Sequence, residues 1–185
     1  PFYDAPLMKE VLAHTAGASP FEASVVVGGD GGPVVDVKTS LKGTAVRLPA
    51  PLAKPAAQAC ATSFRWEPAA KGASDMLSLD FGAPLNAHFK LRLPRGKGDA
   101  AGVLALGKAS ALPPAGFAID VKAGAASLDD WTPVVLRIVK AAAAPAAGGK
   151  GKGGAGLAIS RVDAELGDLR VGGNGTGKAS LHTLH

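Results

Sequence analysis

From residue 85 to residue 93 the chain alternates without a break: Leu85, Ala87, Phe89, Leu91 and Leu93 against Asn86, His88, Lys90 and Arg92. Successive side chains of a strand point to opposite faces, so this run predicts a strand with one dry face and one wet face. The same period recurs along the chain. Phe21, Ala23, Val25 and Val27 alternate with Glu22 and Ser24, and Val35 and Val37 with Asp36 and Lys38. Cys60, Thr62, Phe64 and Trp66 oppose Ser63 and Arg65; Leu77, Leu79 and Phe81 oppose Ser78 and Asp80. Phe117, Ile119, Val121 and Ala123 oppose Asp120 and Lys122, while Val103 and Ala105, with Leu104 and Leu106 opposite, are less one-sided. The glycine-rich stretch 28–32 between the first two runs predicts a hairpin. With 25 glycines, 14 prolines and only 5% aromatics, the chain suits many short strands and turns around a small-residue interior. The expected architecture is mainly β and antiparallel, with eight to ten strands and one short helix.

Four segments break the period. Residues 7–16 read as a short helix stopped by Gly17. Residues 43–55 hold Pro49, Pro51 and Pro55, which fix φ and remove donors, so this stretch is an extended connection between strands. Asp130 can cap a helix running to about residue 144, with Pro133 in its first turn and Trp131, Val134, Val135 and Ile138 on one face. The Gly, Lys and Ala stretch 145–156 reads as a linker, dividing residues 1–144 from further strands of the same sheet in 157–185. In that last part the phase slips near Arg161 and near Gly167, which predicts bulges, and residues 181–184 start a final strand.

No candidate for catalysis, cofactor or metal binding survives inspection. Residues 172–179 resemble a phosphate-binding loop, but Ala179 stands where a hydroxyl must hold Mg²⁺, and a glycine-rich hairpin turn accounts for the sequence. His14, His88, His182 and His185 are dispersed, without the three or four convergent ligands a metal needs. Asp129 and Asp130 suit a helix start. Cys60, the one cysteine, sits in an apolar run as an inert thiol and can form no disulfide within the chain. The net charge of +5 is scattered, with no aromatic-interleaved basic motif for nucleic acid. No run of ~18 apolar residues is present to span a bilayer. The chain therefore reads as a non-enzyme, and the dry faces remain as the candidate site. They make either an ordinary closed core or an open groove, and from alternation alone the closed core is the reading to prefer, because period two says only that one face is dry.

The stretch Ser40, Leu41, Gly43, Leu48, Pro49, Pro51, Leu52, Lys54 and Pro55 resembles the S-x-L-x-G … LP-x-PL-x-KP segment of YhdP-like proteins in the AsmA/TamB-like group. Residues 102–107, then Leu112-Pro113, Gly116 and Leu128-Asp129-Asp130-Trp131, and the late run 162–173, follow in the same order. The resemblance implies a strongly curved half-pipe sheet whose dry face holds phospholipid acyl chains between inner and outer membranes. It implies a periplasmic location, tethered to the inner membrane through the rest of a longer parent of which this chain is a fragment. The residues it marks for the groove are Val25, Val27, Val35, Val37, Phe64, Trp66, Leu77, Leu79, Phe89, Leu91, Leu93, Phe117, Ile119 and Val121. The alternative is a structural or adaptor β-domain of the envelope with a closed core and no ligand.

Overall fold

The computed structural model describes residues 12–28, 32–69, 74–95, 98–143 and 159–184. In chain order these form β1 (Thr15–Gly17), β2 (Phe21–Val26), β3 (Val34–Thr39), β4 (Thr44–Val46), β5 (Thr62–Glu67) and β6 (Ser74–Phe81). There follow β7 (Ala87–Pro94), β8 (Ala101–Leu106), β9 (Gly116–Ser127), the helix α1 (Leu128–Ala143), β10 (Ile159–Val171), β11 (Asn174–Gly175) and β12 (Ala179–Leu184). Ten strands make one open sheet in the order β11-β10-β9-β8-β7-β6-β5-β3-β2, with β12 also on β10. Strands β11 and β12 hold one register along β10, from Val171↔Asn174 to Arg161↔Leu184, so together they form one edge. The other edge is β2.

Neighbouring strands pair antiparallel except at β8–β9 and β9–β10, which are parallel. The expectation of a wholly antiparallel sheet is corrected there. Alternation fixes which side of a strand is dry but carries no information about its direction. Direction follows from the connections: residues 107–115 carry the chain back across the sheet from β8 to β9, and α1 lies in the return from β9 to β10.

The segment 43–55 is not a crossing between distant strands, because β3 and β5 are direct neighbours. Their pairing continues past the sheet. Cys60 N–H donates to Ser40 O at 2.6 Å, Gly43 N–H to Ala56 O at 2.8 Å, and Val46 and Lys54 bridge reciprocally. Strand β1 adds to this ribbon by pairing with β4. The result is an arm projecting from one end of the sheet with Pro49 and Pro51 at its tip, where their missing donors cost no ladder bonds. Lys54 stiffens it. This side chain is only 1% exposed, and its ammonium donates to the carbonyls of Leu41 (2.8 Å), Thr44 (2.5 Å) and Pro55 (3.1 Å). Leu41 takes the left-handed conformation at φ 47°, which turns its carbonyl into that cluster's neighbourhood.

Other expectations move by a few residues. Residues 7–11 of the proposed first helix lie outside the described residues; Leu12 and Ala13 are helical as expected, whereas Thr15 and Ala16 belong to β1, since the β-branched Thr15 finds a partner in Val46. The turn residues 29–31 and the linker 145–156 also lie outside them. Helix α1 starts two residues before the expected cap. Ser127 Oγ accepts the Asp130 N–H at 3.3 Å, which makes Ser127 the cap and puts Pro133 at the sixth helical position, just past the first turn. On its predicted face Val134 is buried and Trp131 half-buried, but Val135 is exposed. The bulge near Arg161 is present as a register shift between Ile159 and Arg161, whereas pairing runs through Gly167 without a shift. Gly167 is instead a close approach: a Cβ there would lie 2.6 Å from the Gly124 carbonyl oxygen of β9.

Candidate functional site: one apolar sheet face

The registers assemble the separate dry stripes into one surface. One row across the sheet runs Val25, Val35, Trp66, Leu77, Leu91, Gly102, Phe117 and Ile159. The next runs Ala23, Val37, Phe64, Leu79, Phe89, Leu104, Ile119 and Val162; the third Phe21, Thr39, Thr62, Phe81, Ala87, Leu106, Val121 and Ala164. Paired residues of adjacent strands point the same way, so all three rows lie on one side. Eight strands at ~4.8 Å make it roughly 35 Å wide. Of the fourteen residues picked from the sequence, twelve stand in the first two rows or at Val121 of the third. Leu93 and Val27 follow in phase at the far end of β7 and just beyond β2.

None of the fourteen is buried. Val25 is 58% exposed, Leu93 43% and Val27 81%, and the rest are half-buried by their lateral neighbours. Among the described residues no second sheet packs on this face. Phe117 leans over Gly102, where a Cβ would come within 2.4 Å of the ring, and its centroid lies 6.1 Å from that of Phe89. This glycine lets two aromatic rings and Leu91 form a continuous patch without overpacking. Sequence reasoning left Phe21, Ala23, Phe81, Ala87, Leu104 and Leu106 out of the site. Their alternation was visible, but only the register shows Leu104 and Leu106, not Val103 and Ala105, on this side.

The two ends of the face differ. At one, Leu93 pairs with Asp75, whose carboxylate accepts the Ala69 N–H at 2.8 Å and an Arg95 N–H at 2.5 Å. The Ala69 N–H first, then Arg95, hold this carboxyl below its usual range. At the other end the arm reaches over. Trp131 of α1 donates its indole N–H to Ala50 O at the arm's tip, 2.8 Å away. Strands β5 and β9 are four positions apart, roughly 20 Å, so arm and helix lean toward each other across the ends of β6, β7 and β8. Thr62 and Leu106, in the row nearest the arm, are each only 9% exposed.

The opposite face is polar and partly roofed. Ala101, Val103, Ala105 and Ala118 are completely buried there beneath the crossover 107–115. The crossover is pinned by His88 to Ser110 O at 3.3 Å, by Arg92 to Pro114 O, and by Ser110 to the Asp120 carboxylate. Arg161 donates to the same carboxylate at 2.5 Å. Burial pushes the Asp120 carboxyl up, but the Ser110 hydroxyl and the Arg161 guanidinium outweigh it and hold the group below its ordinary 3.8. A depressed folded pKa contributes stability above the unfolded value that is lost as pH falls through the folded one. Acid titration of the wild type should therefore show a loss below pH 3.8 that Asp120→Asn lacks; identical acid limbs would count against it. A depression of about 960 Å³ also lies on this side, at its edge near Lys108. Glu22, Lys38, Asp80 and His88 line it together with Phe21, Thr62, Phe81 and Ala87 of the third row, so it sits at the arm end of the sheet with charged and apolar walls.

The lookalike phosphate loop is a hairpin. Gly172 and Gly173 both take positive φ (59° and 78°) between the paired Val171 and Asn174, the two-residue geometry that favours glycine. Among the described residues no three His, Cys, Asp or Glu side chains converge on a metal site, and no helix is long and apolar enough to cross a membrane.

Compared with known proteins, residues 3–184 match the family model described as YhdP protein. No curated protein and no solved structure matches.

Proposed function

The chain belongs to the YhdP family, and from that membership we propose that its apolar sheet face is a section of a periplasmic surface that carries phospholipid acyl chains between the inner and outer membranes. Family membership supports a role in lipid transport in the cell envelope. The observation that carries the finer reading is the three-row face itself, apolar across eight strands and left half-exposed. The sheet is open and lacks the strong curl expected of a half-pipe, so this section serves in our reading as one wall of a groove. The closed-core alternative calls for two sheets face to face, and no second sheet covers this face among the described residues.

Transport on such a surface needs no chemistry. An acyl chain of ~15 methylenes forfeits ~12 kcal/mol in water, so crossing an aqueous space alone is prohibitive. Moving from bilayer to Val, Leu and Phe side chains changes its surroundings little. Headgroups stay in water at the rim, where Asp75 and Arg95 already sit paired. The test is native mass spectrometry of the chain purified from cells without detergent. Bound phospholipid is expected; a lipid-free preparation that also rejects added phospholipid would remove the reading.

A further inference from the structure

We propose that the depression at the arm end of the sheet binds a zwitterionic phosphoester, a molecule that carries an ammonium and a phosphate joined by a short alkyl spacer. The depression has a volume of about 960 Å³, ample for a ligand of that size. Glu22, Lys38, Ser63, Asp80 and His88 line it as one row, each the cross-strand partner of the next across β2, β3, β5, β6 and β7. Elsewhere on this wet face opposite charges meet: Arg65 with Asp36, Arg161 with Asp120, and Lys108 with Asp163. Within the row, the His88 ring is engaged by Ser110 O. Glu22, Lys38 and Asp80 differ. Among the described residues their side chains form no hydrogen bond and no ion pair, although Glu22 and Lys38 are direct partners. Three charged groups that line one depression are therefore open to a ligand.

The order of the charges selects the ligand's chemistry. Lys38 stands between two acids, one strand from Glu22 and two from Asp80, spacings of ~5 and ~10 Å. A lone anion is drawn to Lys38 but repelled by both carboxylates, and a lone cation meets the reverse. A molecule that holds both charges about a strand spacing apart satisfies all three groups. The anionic half is a phosphate, because Lys38 is a compact point charge and no Arg lines the depression to offer a carboxylate its matching fork. Ser63, between Lys38 and Asp80 in the row, adds a hydroxyl donor for the same phosphate. Phe21 and Phe81 give the spacer an apolar wall. Two sources carry this chemistry, a free amino-alkyl phosphate and the headgroup of a zwitterionic phospholipid. The site stands whether or not the apolar face carries acyl chains.

The experiment is isothermal titration calorimetry of the full chain at low salt, where screening is weakest. O-phosphoethanolamine is expected to bind at least about fivefold more tightly than ethanolamine or inorganic phosphate. Lys38→Met and Asp80→Asn should each weaken it about fivefold. Both should leave thermal melting unchanged, since the two side chains are exposed and bond to no described residue. Dihexanoyl phosphatidylethanolamine, set against dihexanoyl phosphatidylglycerol, separates the sources. A preference for the ethanolamine lipid over both the glycerol lipid and the free phosphoester, lost in Asp80→Asn, identifies a headgroup; equal affinity for the ethanolamine lipid and the free phosphoester identifies the free solute. Phe89→Asp should lose a fluorescent acyl probe yet keep O-phosphoethanolamine, so failure of the acyl-carrying role and failure of this site are distinguishable. The proposal is overturned if O-phosphoethanolamine binds no better than phosphate alone, or if Lys38→Met and Asp80→Asn bind it as the wild type does.

Discussion

Leu79→Asp should cut binding of a fluorescent acyl probe at least about tenfold, while Val103→Asp should fail to fold. Both residues are aliphatic, both lie mid-strand, and the two differ by the side of the sheet they occupy. Leu79 sits between Phe64 and Phe89 in the middle row of the open face. Water reaches a carboxylate there, so the stability loss is about 1–2 kcal/mol, in the range of an ordinary substitution. The same carboxylate places a charge against any acyl chain that crosses the row. Val103 is completely buried under the crossover, where an unpaired charge costs at least about 3–5 kcal/mol. Chemical denaturation alongside the binding titration decides the matter. If Leu79→Asp unfolds as Val103→Asp does, the face is a closed core and the acyl-carrying role falls with it.

Lys54→Met should destabilise the chain by about 2–5 kcal/mol, a substantial part of a domain's usual margin of about 5–15 kcal/mol. Methionine keeps the volume of the stem but strands three carbonyls that a buried ammonium now satisfies. Lysine suits this place because three rotatable donors can meet carbonyls arriving from three directions, and the planar fork of arginine cannot; Lys54→Arg is therefore expected to rescue little. The loss should be accompanied by release of the arm, seen as faster amide exchange in residues 43–56 and changed Trp131 fluorescence as its bond to Ala50 loosens. A midpoint within about 0.5 kcal/mol of wild type would mean the cluster is incidental.

The period-two runs located nearly every strand of the main sheet, because a half-wet sheet writes its two faces into alternate residues. The late glycines were legible for a similar reason: two adjacent positive-φ positions leave few options besides a hairpin. The arm was less legible. Prolines at 49, 51 and 55 excluded a central strand, but a lysine between them carries no local sign that its charge is buried among carbonyls 10 and 13 residues away. The cap of α1 was misplaced because Asp129, Asp130 and Ser127 are all competent caps, and the end of β9 chose among them.

What the chain's residues determined unaided was the strand content, the dry and wet sides of each strand, and the absence of a recognisable catalytic or metal motif. These are local properties, set by side-chain period and by backbone restrictions at glycine and proline. The tertiary structure alone decided that the stripes align in three unbroken rows, that β9 runs parallel to both neighbours, and that the cover lies over Val103 and not over Leu104. Those outcomes depend on register and on the path of the crossover 107–115. Both are settled by pairings between residues distant in sequence, which no single stretch encodes.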